Sequence, residues 1–368
     1  MQSNTIRSAG VAAALLAATA LAGPAAAKVS QAEADKLGDS LTPIGAEKAG
    51  NAAGTIPAWQ PLANPPAHTP GDFYADPYAG EDPLFTITPE NMGEHEAKLT
   101  ETHKALLGAY PSYKLIVYPS HRNCAYPEDV NQAYKHNALN ATLAADGNGV
   151  ANAKLGAPFP IPQEGVELIW NHNLRYRGYK LNRQFASIAP DGGGGYTPVV
   201  VYDEVVFTYA DPKLDDFEKL NNISLKYLQT VIAPSRRAGE LLLVHETINQ
   251  VKGARNAWQY NPGTKRVRRA PTVAYDNPQS YSDGRVTTDQ FDLFNGSPDR
   301  YTWDLQGKSE KYIAYNAYKW ASPDNEYSEM VQPAHLNQDL LRYELHRVWT
   351  AEGKLHDGQR HIYDRRVM

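Results

Sequence analysis

The period of the apolar residues changes near residue 179, and this change constrains the fold more than any other feature. Met92, Leu99 and Leu106 recur at the spacing of a helix, whereas Val199 and Val201 begin an alternation. Helical spacing gives a helix one apolar stripe, and alternation gives a strand one apolar face. The chain is therefore expected to begin with helices and to continue with strands.

The predicted elements follow from these patterns and from the turn residues between them. Helices are predicted at residues 88–110, 128–144 and 166–173. Strands are predicted at residues 179–188, 197–209, 225–232, 241–248, 257–260, 266–270, 311–318, 343–350 and 361–363. An Asn-Pro-Gly-Thr turn at residues 261–264 predicts a hairpin. Helices followed by an antiparallel meander predict an α+β fold, with helices covering one face of a curved sheet.

The first 27 residues have the three parts of a secretory signal. Arg7 is their only charged residue, an apolar run covers residues 11–21, and Ala27 ends a small-residue cleavage site. The run is shorter than the roughly 20 residues that span a bilayer. Lys28 follows the site where a lipoprotein would have a cysteine. We expect Sec-type export to the periplasm, with no second hydrophobic segment to hold the mature chain in a membrane.

Beyond the signal, the chain divides into an arm and one domain. Residues 28–90 contain a short helix, whose Ser30 and Glu33 form a capping box, and then an extended segment rich in proline and glycine. Residues 91–368 contain the remaining helices and the strands. They are predicted to form a single α+β domain.

Charge and motifs argue against several classes of function. A formal net charge of −5 does not suit a nucleic-acid-binding protein. His245 and Glu246 begin like a zinc-protease motif, but Asn249 stands where the second histidine is needed, and no Gly-x-Ser-x-Gly motif is present. Cys124 is the only cysteine and is expected to be a buried, inert thiol. The sequence therefore predicts no catalytic residues, no metal site and no cofactor.

The densest positive charge of the chain lies in residues 265–269. It comprises Lys265, Arg266, Arg268 and Arg269. Charges on an exposed edge strand deter edge-to-edge pairing, which is one interpretation. The other is a docking patch for anionic lipid headgroups or for an acidic partner protein. Both interpretations stay open at this point.

Several stretches of the chain resemble one protein family. They are residues 34–38 (ADKLG), 41–51 (LTPIGAEKAGN), 54–59 (GTIPAW), 158–162 (PFPIP), 169–178 (IWNHNLRYRG), 258–263 (WQYNPG), 266–271 (RVRRAP) and 358–363 (GQRHIY). In this order, and over essentially the whole mature chain, they resemble the proteobacterial family known as domain of unknown function 1329.

The resemblance implies a periplasmic protein of the LolA/LolB-like class, which is related to factors that sort outer-membrane lipoproteins. The fold of that class is an unclosed antiparallel half-barrel with helices packed on its concave face. The class implies carriage of a lipid or acyl chain, not catalysis. Members resemble partners of RND-type inner-membrane exporters and of outer-membrane proteins. The family supplies no ligand residues.

On this basis the sequence predicts a non-catalytic carrier of a hydrophobic ligand, lipid or sterol-like, that serves envelope export or outer-membrane trafficking. Leu242, Val244, Trp258 and Tyr260 are the candidate lining residues, because such side chains on a curved sheet can line a cavity. One alternative is a structural adaptor of an RND-type export complex without a ligand of its own. Another is an uncatalogued hydrolase.

The C-terminal region carries one further expectation. Members of the family usually continue beyond the stretch at residues 358–363, so this chain is expected to be a shortened member. The strand predicted at residues 343–350 would then have an exposed edge with unpaired backbone groups. Alternatively, the arm at residues 51–89 covers that edge.

The signal sequence yields the first testable prediction. We expect the mature protein to begin at Lys28 and to be released by osmotic shock, because the small-residue site ends at Ala27. Intact-mass analysis of the released fraction measures the N-terminus directly. Protein that retains residues 1–27 in the membrane fraction would contradict both the cleavage site and the periplasmic location.

Overall fold

The computed structural model describes residues 29–144, 146–250, 252–270 and 275–368. The predicted signal sequence and its cleavage site at Ala27 lie outside these ranges. Within them, no helix combines the length and the apolar character that crossing a membrane requires.

The described residues form the following elements. The α-helices are α1 (Gln31–Ala34), α2 (Glu101–Ala109), α3 (Glu128–Asn140), α4 (Gly165–Asn173) and α5 (Tyr327–Met330). The strands are β1 (Phe85–Ile87), β2 (Leu115–Val117), β3 (Thr142–Leu143), β4 (Val150–Ala151), β5 (Lys180–Ser187), β6 (Val199–Val206), β7 (Ile223–Ala233), β8 (Leu241–Thr247), β9 (Asn256–Asn261), β10 (Arg266–Arg269), β11 (Tyr301–Ala314), β12 (Tyr343–Leu355) and β13 (Arg365–Val367). Short 3-10 helices lie at Met92–Lys98, Thr208–Ala210, Phe217–Leu220, Thr288–Gln290, Pro298–Arg300, Tyr318–Ala321 and Gln338–Leu340.

Strands β5 to β10 form an antiparallel sheet, the meander sheet, in which each strand pairs with the next along the chain. The register places Arg183 opposite Asp203 and Leu242 opposite Gln259. The hairpin between β9 and β10 turns at residues 262–265, as its Pro and Gly residues predict. The predicted antiparallel meander is confirmed for this part of the chain.

A second sheet contains β1, β2, β12 and β11 in that order, with β13 paired to β12. Strands β11 and β12 are antiparallel along their length, and β12 meets β2 in a parallel bridge between Tyr343 and Val117. The α+β class is confirmed, but the expectation of one continuous meander is wrong. The reason is that residues 275–296 lie across the face of the meander sheet, so the strands that follow pair elsewhere.

The helix predicted at residues 88–110 is divided in two. A 3-10 helix covers Met92–Lys98, Leu99 is extended, and α2 begins after Thr100, whose hydroxyl caps it. The Lys311 ammonium on β11 donates to the carbonyl oxygen of Leu99 at 3.1 Å. A distant strand thus satisfies a carbonyl group that a continuous helix would use internally.

The strand predicted at residues 361–363 is wrong, because the final strand is β13. The His361 ring is buried, and its Nε2 lies 3.0 Å from Asp289 Oδ2. Arg366 donates to the same oxygen at 2.8 Å. This buried group holds the chain against the 3-10 helix Thr288–Gln290 instead of against a strand.

The edge of β12 that faces away from β11 is in contact with other segments near both of its ends. The Tyr118 N–H donates to the Tyr343 carbonyl at 2.9 Å, and Ala351 and Met368 exchange two backbone hydrogen bonds at 2.8 and 2.9 Å. These positions are therefore not the unpaired edge that the sequence predicts. The bonds also come from outside the arm at residues 51–89.

Helix α4 lies between the two sheets. Ile169 packs with Trp303 of the second sheet, whereas Trp170 packs with Tyr209 next to the meander sheet. A Cβ at Gly165 would stand 2.5 Å from the Trp303 carbonyl oxygen, so this close packing requires glycine. One short helix therefore joins the two hydrophobic cores.

The buried carboxylate of Glu344 is the centre of a polar network in the second sheet. Arg342 Nε donates to it at 2.6 Å, His346 Nε2 lies 3.0 Å away, and Asn316 donates at 2.9 Å. The His121 backbone N–H donates at 2.8 Å. Burial raises the pKa of Glu344, but these hydrogen bonds lower it by more, so the pKa lies below the usual carboxyl value.

We expect Glu344→Gln to lower the free energy of unfolding by about 3 kcal/mol, because it removes a charge partner of the buried Arg342. A carboxyl whose pKa is lowered on folding contributes stability above its unfolded pKa of about 4.3, and this stability is lost as the pH falls. Urea unfolding of the wild type should therefore show a fall in stability between about pH 5 and pH 3, with a shallower fall in the variant.

The control for this prediction is Glu94→Gln, since Glu94 is exposed. It should change the free energy of unfolding by less than about 0.5 kcal/mol. An equally small effect of Glu344→Gln, or an unchanged acid slope, would contradict the role given to the network.

Candidate ligand cavity

A cavity of about 520 Å³ lies on one face of the meander sheet. The opposite wall is formed by residues 275–296, which we name the covering segment, and the end of α4 closes one side. The volume is typical of small-molecule sites, which span roughly 300–1,000 Å³. Among the described lining residues, α-helices contribute only the end of α4, so irregular chain supplies most of the cover that the sequence assigns to helices.

Alternate residues of β5 to β8 form an apolar floor. Side chains on a strand alternate between its two faces, so the alternation that predicts the strands also selects the residues that face the cavity. The apolar and aromatic floor residues are Leu181, Phe185, Val201, Val205, Phe207, Leu225, Tyr227, Leu242 and Val244.

A polar row crosses this floor. Arg183 Nε donates to Asp203 Oδ2 at 3.0 Å, and the Tyr227 hydroxyl donates to Oδ1 at 2.8 Å. Gln229 donates to the Tyr227 hydroxyl oxygen at 2.7 Å. Asp203 is fully buried, and burial together with its charge raises the pKa of Tyr227. The Tyr227 hydroxyl therefore stays protonated and remains a donor.

The covering segment is in contact with both sheets. Ser187 Oγ donates to the Tyr281 carbonyl at 3.0 Å, and the Arg237 guanidinium lies 4.3 Å from the Tyr281 ring centre. Further along, the buried Phe294 packs edge-to-face on Trp303 of β11, with ring centres 5.6 Å apart. These contacts join the segment to the meander sheet and to the second sheet.

Two arginines share one carboxylate at the α4 end of the cavity. Arg175 donates to both oxygens of Asp292 at 2.7 Å, and Arg177 donates to Oδ2 at 2.8 Å. The Arg177 guanidinium lies 4.5 Å from the Phe207 ring centre, and its Nε is buried without an acceptor among the described residues. Burial lowers the pKa of Arg177 to about 10, and the charge of Arg175 acts in the same direction. Arg177 therefore stays charged at neutral pH.

The other end of the cavity also holds charged groups. Arg255 Nε donates to Glu246 Oε2 at 2.6 Å, and the Arg255 guanidinium donates to Asn295 Oδ1 at 3.0 Å. Arg269 on β10 lines the cavity as well. From the sequence, Glu246 is considered only as part of a zinc-protease motif and Arg269 only as part of the basic cluster, because these charged residues come from separate elements.

The structure brings two of the four predicted lining residues to the cavity. Leu242 and Val244 on β8 line it, whereas Trp258 and Tyr260 are not among its lining residues. Gln259 lines it instead, because β9 pairs with β8 in the register that sets Gln259 opposite Leu242. Neighbouring residues of a strand face opposite sides, so Trp258 and Tyr260 point to the other face.

The predicted basic cluster is divided by the hairpin. Lys265 lies in the turn with a positive φ of 52°, and Arg266 and Arg268 are exposed on the edge strand β10. Arg269 is the member that lines the cavity, and it also donates to the Asn256 side chain. The geometry of an exposed, charged edge strand is compatible with both interpretations of the cluster.

The other candidate residues do not form a catalytic arrangement. Glu246 pairs with Arg255, as described above, and His245 packs edge-to-face on Trp258 with ring centres 5.1 Å apart. Cys124 is exposed, so the expectation of a buried thiol is wrong. Within the described ranges, no group of three or more His, Cys, Asp or Glu side chains could hold a metal ion.

The protein is of the α+β class and has a cavity on one face of its meander sheet. The model of the family described as protein of unknown function DUF1329 matches residues 86–368, and the chain belongs to this family. The resemblance found in the sequence is therefore confirmed. An uncharacterized protein of Pseudomonas aeruginosa is 49% identical over 357 residues, which make up 96% of this chain and 78% of that protein.

Two solved structures are also similar to the chain. One is a Vibrio parahaemolyticus domain classed with the outer membrane lipoprotein-sorting proteins, with 16% identity, a TM-score of 0.34, and coverage of 55% of this chain and 64% of that one. The other is a DUF1329 family protein from Desulfovibrio piger, with 15% identity, a TM-score of 0.31, and coverage of 52% and 60%. The chain thus spans less than two thirds of either structure, and TM-scores this low do not establish a shared fold.

The polar row on the cavity floor yields a stability prediction. We expect Asp203→Asn to lower the free energy of unfolding by about 2 kcal/mol, because hydrogen bonds from Arg183 and Tyr227 lose a charged acceptor. Urea unfolding measures the change. Glu204→Gln is the control, since Glu204 is the next residue of β6 and is exposed. Equal effects of the two substitutions would show that the polar row contributes no stability.

Proposed function

We propose that this chain is a non-catalytic carrier that holds a hydrophobic ligand, a lipid or a sterol-like molecule, in the cavity of the meander sheet. The observation that supports this proposal is the cavity of about 520 Å³ with a floor of aliphatic and aromatic side chains. Predominantly apolar pockets with a few polar groups are the usual form of ligand sites.

The energetics of such a site come mainly from burial. Each methylene group transferred from water favours binding by about 0.8 kcal/mol, so an acyl chain binds without any specific polar contact. We also propose that the meander sheet is the wall of an unclosed half-barrel. The covering segment then packs on the concave face of this half-barrel. Four strands contribute apolar side chains to the floor, and the polar row from Arg183 to Gln229 interrupts them.

The cellular role is proposed as follows. The carrier acts in the periplasm after Sec-type export, and it serves envelope export or outer-membrane trafficking between an RND-type inner-membrane exporter and an outer-membrane protein. The exposed residues Lys265, Arg266 and Arg268 are the proposed docking patch for a partner or for anionic headgroups. The cavity residues Leu242 and Val244 are proposed ligand contacts.

Native mass spectrometry of protein purified from its own periplasm tests the carrier against the adaptor. We expect a lipid or other hydrophobic molecule to remain bound. A stable complex with an inner-membrane exporter and no bound lipid would contradict the carrier and favour the structural adaptor.

Filling the cavity yields a sharper test. We expect Val244→Trp to weaken binding of the fluorescent probe N-phenylnaphthylamine by about tenfold or more, because the larger ring occupies volume that the probe needs. A fluorescence titration measures the dissociation constant, and urea unfolding checks that the variant is folded.

The matched control is Leu243→Trp. Leu243 is the adjacent residue of β8, is partly buried, and is not among the residues that line the cavity. The control should bind the probe as the wild type does. If the folded Val244→Trp protein also binds it as the wild type does, the cavity is not the ligand site.

A further inference from the structure

We propose that the ligand is a single-chain amphiphile with an anionic head, and that its carboxylate or phosphate binds Arg175 and Arg177 while its chain lies on the apolar floor. This inference rests on the proposed carrier function and specifies the chemical class of the ligand. It follows from three observations on the cavity.

The first observation is the charge of the cavity wall. Five arginines and two acidic residues line the cavity among the described residues. Even when the buried Asp203 beneath Arg183 is added, positive charge is in excess. The whole chain, in contrast, has a formal net charge of −5. A surplus of arginine inside a cavity of an acidic protein favours an anionic ligand.

The second observation is the geometry of the arginine pair. Arg175 and Arg177 carry two positive charges but share the single carboxylate of Asp292. The two guanidinium groups have ten N–H donors in planar forks, which suit the oxygens of a carboxylate or a phosphate. Arg177 Nε is buried without an acceptor in the described part of the chain. An anionic head would supply both the missing charge and further acceptors.

The third observation is the position of the pair relative to the floor. The Arg177 guanidinium lies over the ring of Phe207, and Phe207 follows Val205 on the cavity side of the sheet. Leu181 pairs with Val205 across β5 and β6 and lines the cavity too. When the head of an amphiphile binds the arginine pair, its chain therefore lies on apolar side chains of the floor. This is the arrangement that an amphiphile requires.

Asp292 occupies this site as an internal counter-ion. It belongs to the covering segment, and both Asp292 and Leu293 have positive φ values, 55° and 71°. Non-glycine residues rarely adopt this conformation, because it strains the backbone. The Leu293 side chain is 74% exposed. An anionic head thus competes with a carboxylate whose backbone is strained.

The test uses four dodecyl compounds with one chain and different heads. Isothermal titration of the delipidated protein compares dodecanoate, dodecyl phosphate, dodecanol and dodecylammonium. We expect at least one of the two anions to bind about tenfold more tightly than dodecanol, since hydrogen bonds between charged groups are the strong ones. Dodecylammonium should bind more weakly than dodecanol. The two anions distinguish a carboxylate head from a phosphate head.

Two substitutions with opposite expected signs test the site itself. Arg177→Gln should weaken binding of the preferred anion by about tenfold and leave dodecanol within about twofold. Asp292→Asn should tighten binding of that anion by about threefold, because the competing carboxylate is gone. The control is Arg236→Gln, which also removes one positive charge but lies at an exposed position. It should change neither the binding of the anion nor that of dodecanol.

The outcomes separate this inference from the carrier function. If dodecanol binds as tightly as both anions, and neither substitution changes the preference, the anionic head is overturned and the carrier function stands. If none of the dodecyl compounds binds, both proposals are overturned. Because Asp292→Asn predicts a gain, the site can be tested even if Arg177→Gln does not fold.

Discussion

The cavity depends on several contacts that hold the covering segment across the open face of the meander sheet, and the ion pair of Asp292 with Arg175 and Arg177 is one of them. It joins the covering segment to the chain between α4 and β5, so that irregular backbone stays across the open face of the meander sheet. Because Arg175 and Arg177 are only partly exposed, the pair is screened less than a surface ion pair would be. The buried ion pair of Asp289 with Arg366 and the packing of Phe294 on Trp303 hold the same segment at other points.

Helix α4 fixes the position of Arg175 in that ion pair. Its residue Ile169 belongs to the core of the second sheet, and its neighbour Trp170 belongs to the core beside the meander sheet. Arg175 lies just past the end of the helix, so its position is set by both cores. Phe294, two residues after Asp292, packs on Trp303 of the same second sheet. Both partners of the ion pair are therefore held by the second sheet, which explains how a sheet that contributes little to the cavity wall determines its shape.

The floor of the cavity contains both apolar side chains and a row of hydrogen-bonding groups. Valine, leucine and phenylalanine side chains favour burial of an apolar molecule, whereas the row from Arg183 to Gln229 keeps hydrogen-bonding groups in the same surface. A buried carboxylate such as Asp203 is tolerated only because Arg183 and Tyr227 satisfy its oxygens.

The sequence by itself determined the α+β class, the meander from β5 to β10 and the family, because periodicity, turn residues and motifs are local properties. It did not determine which face of each strand meets the cavity. Leu242 and Trp258 both look like lining residues, but the eight residues between β8 and β9 carry no sequence signature of a short hairpin turn, and a one-residue slip in register reverses every side chain. It also did not reveal the second sheet, since Val117 and Tyr343 are far apart in sequence. Only the tertiary structure decided these features, because register and long-range pairing depend on contacts that no local pattern encodes.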